Sequence, residues 1–247
     1  MNAFTLKLIA LFFMLLEHAG RYLPELFPEH FPLYFEYLGR IVAPIFFFLS
    51  VESFFKTRDK KRYIVRLYTW AGIMLLGNLL VGQLIKTIIQ PQTYFFNPGQ
   101  NIFLSIAFGI SMVASFEMAR NANHEDKKKL WGGYSLAFLF MILSLVSESS
   151  YNGLLMYLVF YFFYDKKPIL YYAYAGISLF FLLWGLNNIK YFWVFEFQWM
   201  MITALPLIIL YNGERGRYGL KYLFYAIYPL HIWILYSLGY LLRLNGS

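Results

Sequence analysis

Cysteine is absent from these 247 residues, and only 14% of them are charged. The first absence excludes disulfides, a thiolate nucleophile and any cysteine-based metal site. Histidine is scarce too: His18, His30, His124 and His231 are the full set, without the close spacing of a metal motif. No metal is expected. The shortage of charge excludes an ordinary soluble domain, which runs to about 25% charged and about 45–50% apolar residues. Here 60% of the chain is hydrophobic and 22% aromatic. Nine apolar stretches of about 20 residues, each enough to cross ~30 Å of hydrocarbon, absorb most of the chain. The expectation is a single integral membrane domain over 1–247, with no separate soluble domain.

The spans read from the hydropathy pattern are 3–22, 33–55, 67–89, 101–119, 131–147, 151–164, 169–187, 194–212 and 219–242. The sixth is short, and a tilted, half-buried or interfacial helix is its alternative. Backbone in lipid must satisfy its own hydrogen bonds, so an all-α polytopic bundle is expected. Barrel strands would alternate apolar and polar residues, and IVAPIFFFLSV and LAFLFMILSLV do not. The first run starts at Phe4 without a charged leader and carries charges inside, as a retained span does.

Lysine and arginine set the orientation. Segments 56–66, 120–130, 165–168 and 212–221 hold 15 of the 21 basic residues. In a nine-span chain all four fall on the side of the N-terminus, which is therefore expected in the cytoplasm. PELFPEHFP and PQTYFFNPGQ, on the other side, have no lysine or arginine. A multi-pass protein of the cytoplasmic membrane, touching anionic lipid along its inner face, accounts for most of the net charge of +8. Nucleic acid is not an expected partner.

Ionisable groups inside spans are costly and mark function by default. The first span holds Lys7, Glu17, His18 and Arg21; the second holds Glu36, Arg40 and Glu52; the last holds His231. Lys7 and His18 are 11 residues apart, just over three turns, so they share a helix face about 16 Å apart along the axis. A cation near the inner surface and an imidazole deep in the bilayer suit a long anionic carrier with its phosphates inward and its reactive end at His18. Snorkelling of a helix-end lysine is the plainer account of Lys7. Glu17 pairs with Arg21 at i, i+4 and Glu36 with Arg40, which neutralises them. Glu17 is also the carboxylate nearest His18 in sequence, a place from which it would fix the tautomer, although it lies about 100° round the helix. Glu52 has Lys56 one turn on. Pro44 is expected to bend the second span. The turn NGERGRYG offers backbone and the charges of Arg215 and Arg217 to an anion, or serves as an ordinary positive-inside loop. His231, behind Pro229, is placed to face His18 or to pack as a hydrogen-bonded histidine. His30 and His124 fall in solvated loops.

The segments LKLIALFFMLLEHAG, LGRIVAPIFFFLSVESFFKTRDKKRYIVRL and PLIILYNGERGRYGLKYLFYAIYPLHIWILY resemble the TraX family of integral membrane acetyltransferases. SYNGLL and FQW extend the likeness through the middle of the chain. The family's named member is associated with acetylation of the N-terminal amine of a conjugative pilin, and the family looks like a branch of a transmembrane acyltransferase superfamily fed by cytoplasmic acyl-CoA. A related branch is marked by Arg or Lys, ten residues, then a catalytic His, and Lys7 and His18 match that spacing. The resemblance implies His18 as the catalytic base and Lys7 near the coenzyme A phosphates. It also places Arg40, Glu52, Arg58 and the Asn212–Arg217 loop at family-typical positions. Relatives often carry Asp before the histidine; this chain has Glu17.

Together these readings give an acetyl-CoA-dependent N- or O-acetyltransferase. His18, Glu17 and Arg21 are the expected catalytic residues, and Lys7, Arg58, Asn212, Arg215 and Arg217 hold acetyl-CoA. Arg40, Glu52 and His231 line the cavity for an amine or hydroxyl of an envelope acceptor, a peptide N-terminus or a glycan. Direct transfer and prior acetylation of His18 both fit. The alternatives are a small transporter whose buried charges mark a substrate or proton path, and a membrane scaffold for envelope assembly.

Overall fold

A computed structural model describes residues 1–89, 100–123, 125–186, 193, 197–216 and 221–245. Among the described residues the secondary structure is helical, without a strand. The helices are α1 (Ala3–Tyr22), α2 (Phe31–Gly39), α3 (Val42–Lys56), α4 (Lys60–Ile89), α5 (Ile102–Arg120), α6 (Lys127–Leu145), α7 (Ser150–Phe162), α8 (Lys167–Leu186), α9 (Leu205–Ile209) and α10 (Lys221–Asn245). Short 3₁₀ turns cover Pro24–Leu26 and Gln198–Ala204.

Six stretches among the described residues are long and apolar enough to cross a membrane: Ala3–Tyr22, Phe31–Lys56, Lys60–Thr87, Ile102–Arg120, Lys167–Leu186 and Leu223–Arg243. The other three expected spans fall on shorter or more polar elements. Helix α6 opens on Lys127, Lys128 and Lys129. Helix α7 has 13 residues, about 20 Å of rise against a core of ~30 Å. The expected span 194–212 contains the short apolar segment Gln198–Ile209, and its residues 194–196 lie outside the described residues, as do 219–220 of the last span. The expected span 33–55 is two helices, α2 and α3, broken at Arg40 and Ile41. Pro44 explains where: its ring clashes with the carbonyl four residues back, at Arg40, and it has no N–H to give. Proline therefore sits in the first turn of α3, where it is tolerated, instead of bending a continuous rod.

The chain divides into two compact units. The first comprises Met1–Phe46, Leu80–Pro91 and Pro168–Ser247. Its α1 starts at Asn2, whose Oδ1 accepts the Thr5 N–H at 3.0 Å and so satisfies one orphan donor of the first turn. Leu6, Ala10, Leu11, Met14 and His18 are buried, the three-to-four spacing of a helix with one face turned inward. Helix α2 returns antiparallel against that helix: Arg21 reaches Glu36 at 3.9 Å, and Glu17 lies against Gly39.

Helix α10 runs parallel to α1. Phe4 meets Phe224 with ring centroids 6.2 Å apart, Tyr22 meets Tyr236 at 5.9 Å, and beyond the helix end Glu25 pairs with Arg243 at 2.6 Å. Both chains advance in the same direction along this contact.

The second unit comprises Phe47–Leu79 and Gln92–Lys167. Within it α5 packs against α6 and α7. Its core is aromatic: Phe47, Phe48, Phe54, Tyr157 and Phe160 are almost completely buried. Two asparagines fasten the start of α5 to α4. Asn101 donates to the Ala71 carbonyl at 2.8 Å while its Oδ1 caps α5 at Leu104 N–H, and Asn78 donates to the Gln100 carbonyl at 2.9 Å. Buried amides of this kind are tolerated in lipid because each polar atom finds a partner.

Candidate functional site

The parallel contact of α1 and α10 brings the two span histidines together. His18 Nδ1 and His231 Nε2 are 2.7 Å apart, and both residues are buried. The rings are stacked with centroids 4.9 Å apart. His231 Nδ1 lies 2.8 Å from the carbonyl oxygen of Ile227, one turn back along α10. A carbonyl only accepts, so His231 Nδ1 carries the proton, and in the neutral ring its Nε2 is then a lone pair. The proton between the rings therefore belongs to His18 Nδ1, which donates to His231. This leaves His18 Nε2 as the lone-pair nitrogen of the neutral pair. A helix carbonyl thus fixes one tautomer, and that histidine fixes the next, the orienting logic that a carboxylate supplies to a catalytic imidazole elsewhere. Tyr22 and Tyr228 stand beside the pair, with ring centroids 6.0 and 6.4 Å from His18.

Glu17 goes elsewhere. Its carboxylate accepts from Arg21 Nη2 at 2.8 Å and faces Arg40 Nη2 at 3.5 Å. Neighbouring residues of a helix point about 100° apart, so Glu17 faces α2 while His18 faces α10. Glu17 therefore pairs with the arginines, and the side-chain partner of His18 is His231. Arg40 in turn donates to Gln198 Oε1 at 3.2 Å and to the Glu36 carbonyl at 3.3 Å, and its guanidinium lies 4.9 Å from the Phe197 ring centroid. Two carboxylates and two guanidiniums here make a neutral, hydrogen-bonded cluster one face away from the histidines. Gly39 is part of it: a Cβ there would collide with the Glu17 carboxylate.

Toward the start of α1, Lys7 is half-buried, with Nζ 5.7 Å from the Phe224 ring centroid. Lys7 and His18 therefore both face α10. The 212–216 turn lies against the same end of α1. Asn212 N–H donates to the Met1 carbonyl and Ala3 N–H to the Glu214 carbonyl, both at 2.8 Å. Asn212 also shapes the turn, its Oδ1 accepting the Glu214 N–H at 3.1 Å. Gly216 has a φ of +86°, and a Cβ on it would come within 2.8 Å of Phe4 Cβ, so only glycine fits. Arg215 is exposed beside this turn, whereas Arg217 and His124 lie outside the described residues.

Lys7, Glu17, His18, Arg21, Arg40, Asn212, Arg215 and His231 thus belong to the first unit, and Glu52 and Arg58 to the second. Glu52 is buried and paired with Lys56 at 2.7 Å, while Arg58 is exposed. Gln198, Tyr228 and the Ile227 carbonyl were not singled out beforehand. For Gln198 the FQW match was the available signal. Among the described residues no cluster of side chains suited to a metal is present.

Apolar helices, a part-buried cluster of paired charges and a hydrogen-bonded imidazole pair define a helical membrane protein with an internal ionisable site. The chain belongs to the TraX family, whose profile, described as TraX protein, matches residues 3–239. It is also similar to a probable fimbrial assembly protein FimC, serogroup H1, of Dichelobacter nodosus: 25% identical over 246 residues, covering 96% of this chain and 95% of the relative. No solved structure matches.

Proposed function

We propose that the whole chain is one acyltransferase domain of the cytoplasmic membrane. It moves an acetyl group from cytoplasmic acetyl-CoA to an amine or hydroxyl presented from the far side. The observation that carries this reading is the tautomer chain Ile227–His231–His18, which leaves a buried lone pair on His18 Nε2. His18 takes the proton of the acceptor as that nitrogen or oxygen attacks the thioester carbonyl. The carbon–sulfur bond then breaks, and the departing thiolate recovers the proton from His18. Positioned general-base catalysis of this type contributes about 10²–10⁴ in rate, and holding both reactants in one dry site adds the proximity term. Lys7 and the turn of Asn212 and Arg215, at the same end of α1, hold the phosphates of coenzyme A. Arg21 or Arg40 stabilises the developing oxyanion, and Glu17 sets their positions. His231 borders the acceptor's path.

The similarity to a probable fimbrial assembly protein supports a pilin-type acceptor, with its N-terminal amine as the nucleophile. Nine crossings with the N-terminus inside suit the parallel contact of α1 and α10, because two helices running the same way require an odd total. The test is purified protein with labelled acetyl-CoA and a pilin-like peptide bearing a free N-terminus. Transfer, or hydrolysis of the thioester without acceptor, is expected for the native chain and lost in His18→Ala. Solute uptake into liposomes without coenzyme A release would replace the enzyme with a transporter.

A further inference from the structure

The second unit contains a cavity of about 480 Å³ unconnected with the histidine pair's chemistry. Lys60 and Lys61 from α4 and Lys129 from α6 line it, over a floor that includes Phe54, Ile64 and Met118. Each lysine stands in the first turn of its helix, behind an aspartate cap: Asp59 accepts the Arg62 N–H at 2.8 Å and Asp126 the Lys129 N–H at 3.0 Å. The caps hold their carboxylates on the helix N–H groups, and the three lysines share one cavity. Glu117 is its one carboxylate, and Glu117 is already engaged: it accepts from Tyr161 Oη at 3.0 Å and lies 3.9 Å from Arg120. Lys60 Nζ sits 4.6 Å from the Phe54 ring centroid, so cation and apolar floor adjoin.

Three lysine cations around one cavity, against a single carboxylate that is already engaged, point to an anionic ligand that offsets them. The floor excludes a small hydrated anion as the matched occupant, because such an anion would leave apolar surface uncovered. We propose that this cavity binds an anionic phospholipid, its headgroup phosphate against Lys60, Lys61 and Lys129 and an acyl chain along Phe54, Ile64 and Met118. Basic pockets between membrane helices near the inner surface take such headgroups, and these lysines belong to the two most cation-rich segments, 56–66 and 120–130. The inference rests on the chain's place in a membrane and not on acyl transfer, so the two readings fail separately.

The experiment uses the full chain in phosphatidylcholine nanodiscs with a minor fraction of phosphatidylglycerol, and native mass spectrometry counts the anionic lipid retained. The native protein is expected to retain it, and Lys60→Gln/Lys61→Gln/Lys129→Gln to lose roughly 10- to 100-fold of that enrichment. A charge-matched control, Lys127→Gln/Lys128→Gln/Lys166→Gln, is expected to keep it. Melting temperatures verify the fold, and Lys129→Gln alone, with a partial loss, serves where the triple variant fails to fold. Equal loss in variant and control would reduce the effect to diffuse charge and overturn the site. Displacement of the lipid by millimolar inorganic pyrophosphate would show that phosphate alone is recognised and overturn the lipid assignment.

Discussion

In the proposed mechanism two imidazoles in contact orient the base, and their value lies in what they avoid. A carboxylate beside His18 would bring a charge into the apolar contact of α1 and α10. His231 supplies the acceptor without the charge, and the Ile227 carbonyl supplies the direction. Two substitutions at position 231 separate orientation from packing. His231→Leu leaves the His18 Nδ1 donor without an acceptor, a cost of about 1–3 kcal/mol when buried. We expect kcat for acetyl transfer to fall about 100-fold with little change in KM for acetyl-CoA. His231→Gln offers a side-chain oxygen and is expected to restore part of that loss, read in the same steady-state assay. Equal activity of the Leu and native proteins would remove His231 from the mechanism. His18→Ala, in contrast, should abolish transfer whatever stands at 231.

Among the elements, the α1–α2 hairpin is held by charge at its centre and α10 by a pair at its end. Gly39→Ala drives a methyl group into the Glu17 carboxylate, and we expect about 1–3 kcal/mol of destabilisation, as for other overpacked sites, seen in a lower melting temperature in detergent. Glu17→Gln should cost more, about 3–5 kcal/mol, since it removes the charge shared by Arg21 and Arg40 in a buried setting. Beyond the end of α1, hydrogen bonding from Arg243 holds the Glu25 carboxyl below its ordinary value of 4.5. A depressed carboxyl stabilises the folded state above pH 4.5, and the contribution disappears as pH falls through and below that value. Melting temperatures of the native protein and Glu25→Gln are expected to differ slightly at pH 7 and to converge toward pH 3. The elements were legible wherever apolar length decided them, as in α1, α4, α5, α8 and α10. The break at Arg40 was hidden because proline acts on the carbonyl four residues upstream, not at its own position. The partner of Glu17 was half legible: Arg21 follows from i, i+4 spacing, but Arg40 and Gln198 needed the hairpin and the 197–204 segment to be placed. His231 opposite His18 was a possibility in the sequence. The tautomer chain was not, since it depends on how α10 is rotated around Pro229.

At the scale of the whole molecule, the parallel contact of α1 with α10 bears on topology more strongly than hydropathy does. Six crossings alone, an even number, would put antiparallel first and last spans side by side. Phe4 against Phe224, His18 against His231 and Glu25 against Arg243 run in one sense instead. An odd total is needed for that contact, and the proposed nine crossings, which add α6, α7 and the 198–209 segment, meet it together with the charge distribution. The absence of cysteine makes the test direct, because single cysteines can be introduced without removing any. Glu29→Cys, Lys61→Cys, Glu125→Cys and Lys166→Cys report on four loops, all at exposed positions. In right-side-out vesicles an impermeant maleimide is expected to label position 29 and to spare 61, 125 and 166 until the membrane is opened. Labelling of 125 from outside with 61 protected would mean that the segment between them crosses a different number of times. Labelling of 29 and 61 with equal speed would place both ends of the α2–α3 stretch on one side, and the nine-span reading would fail there.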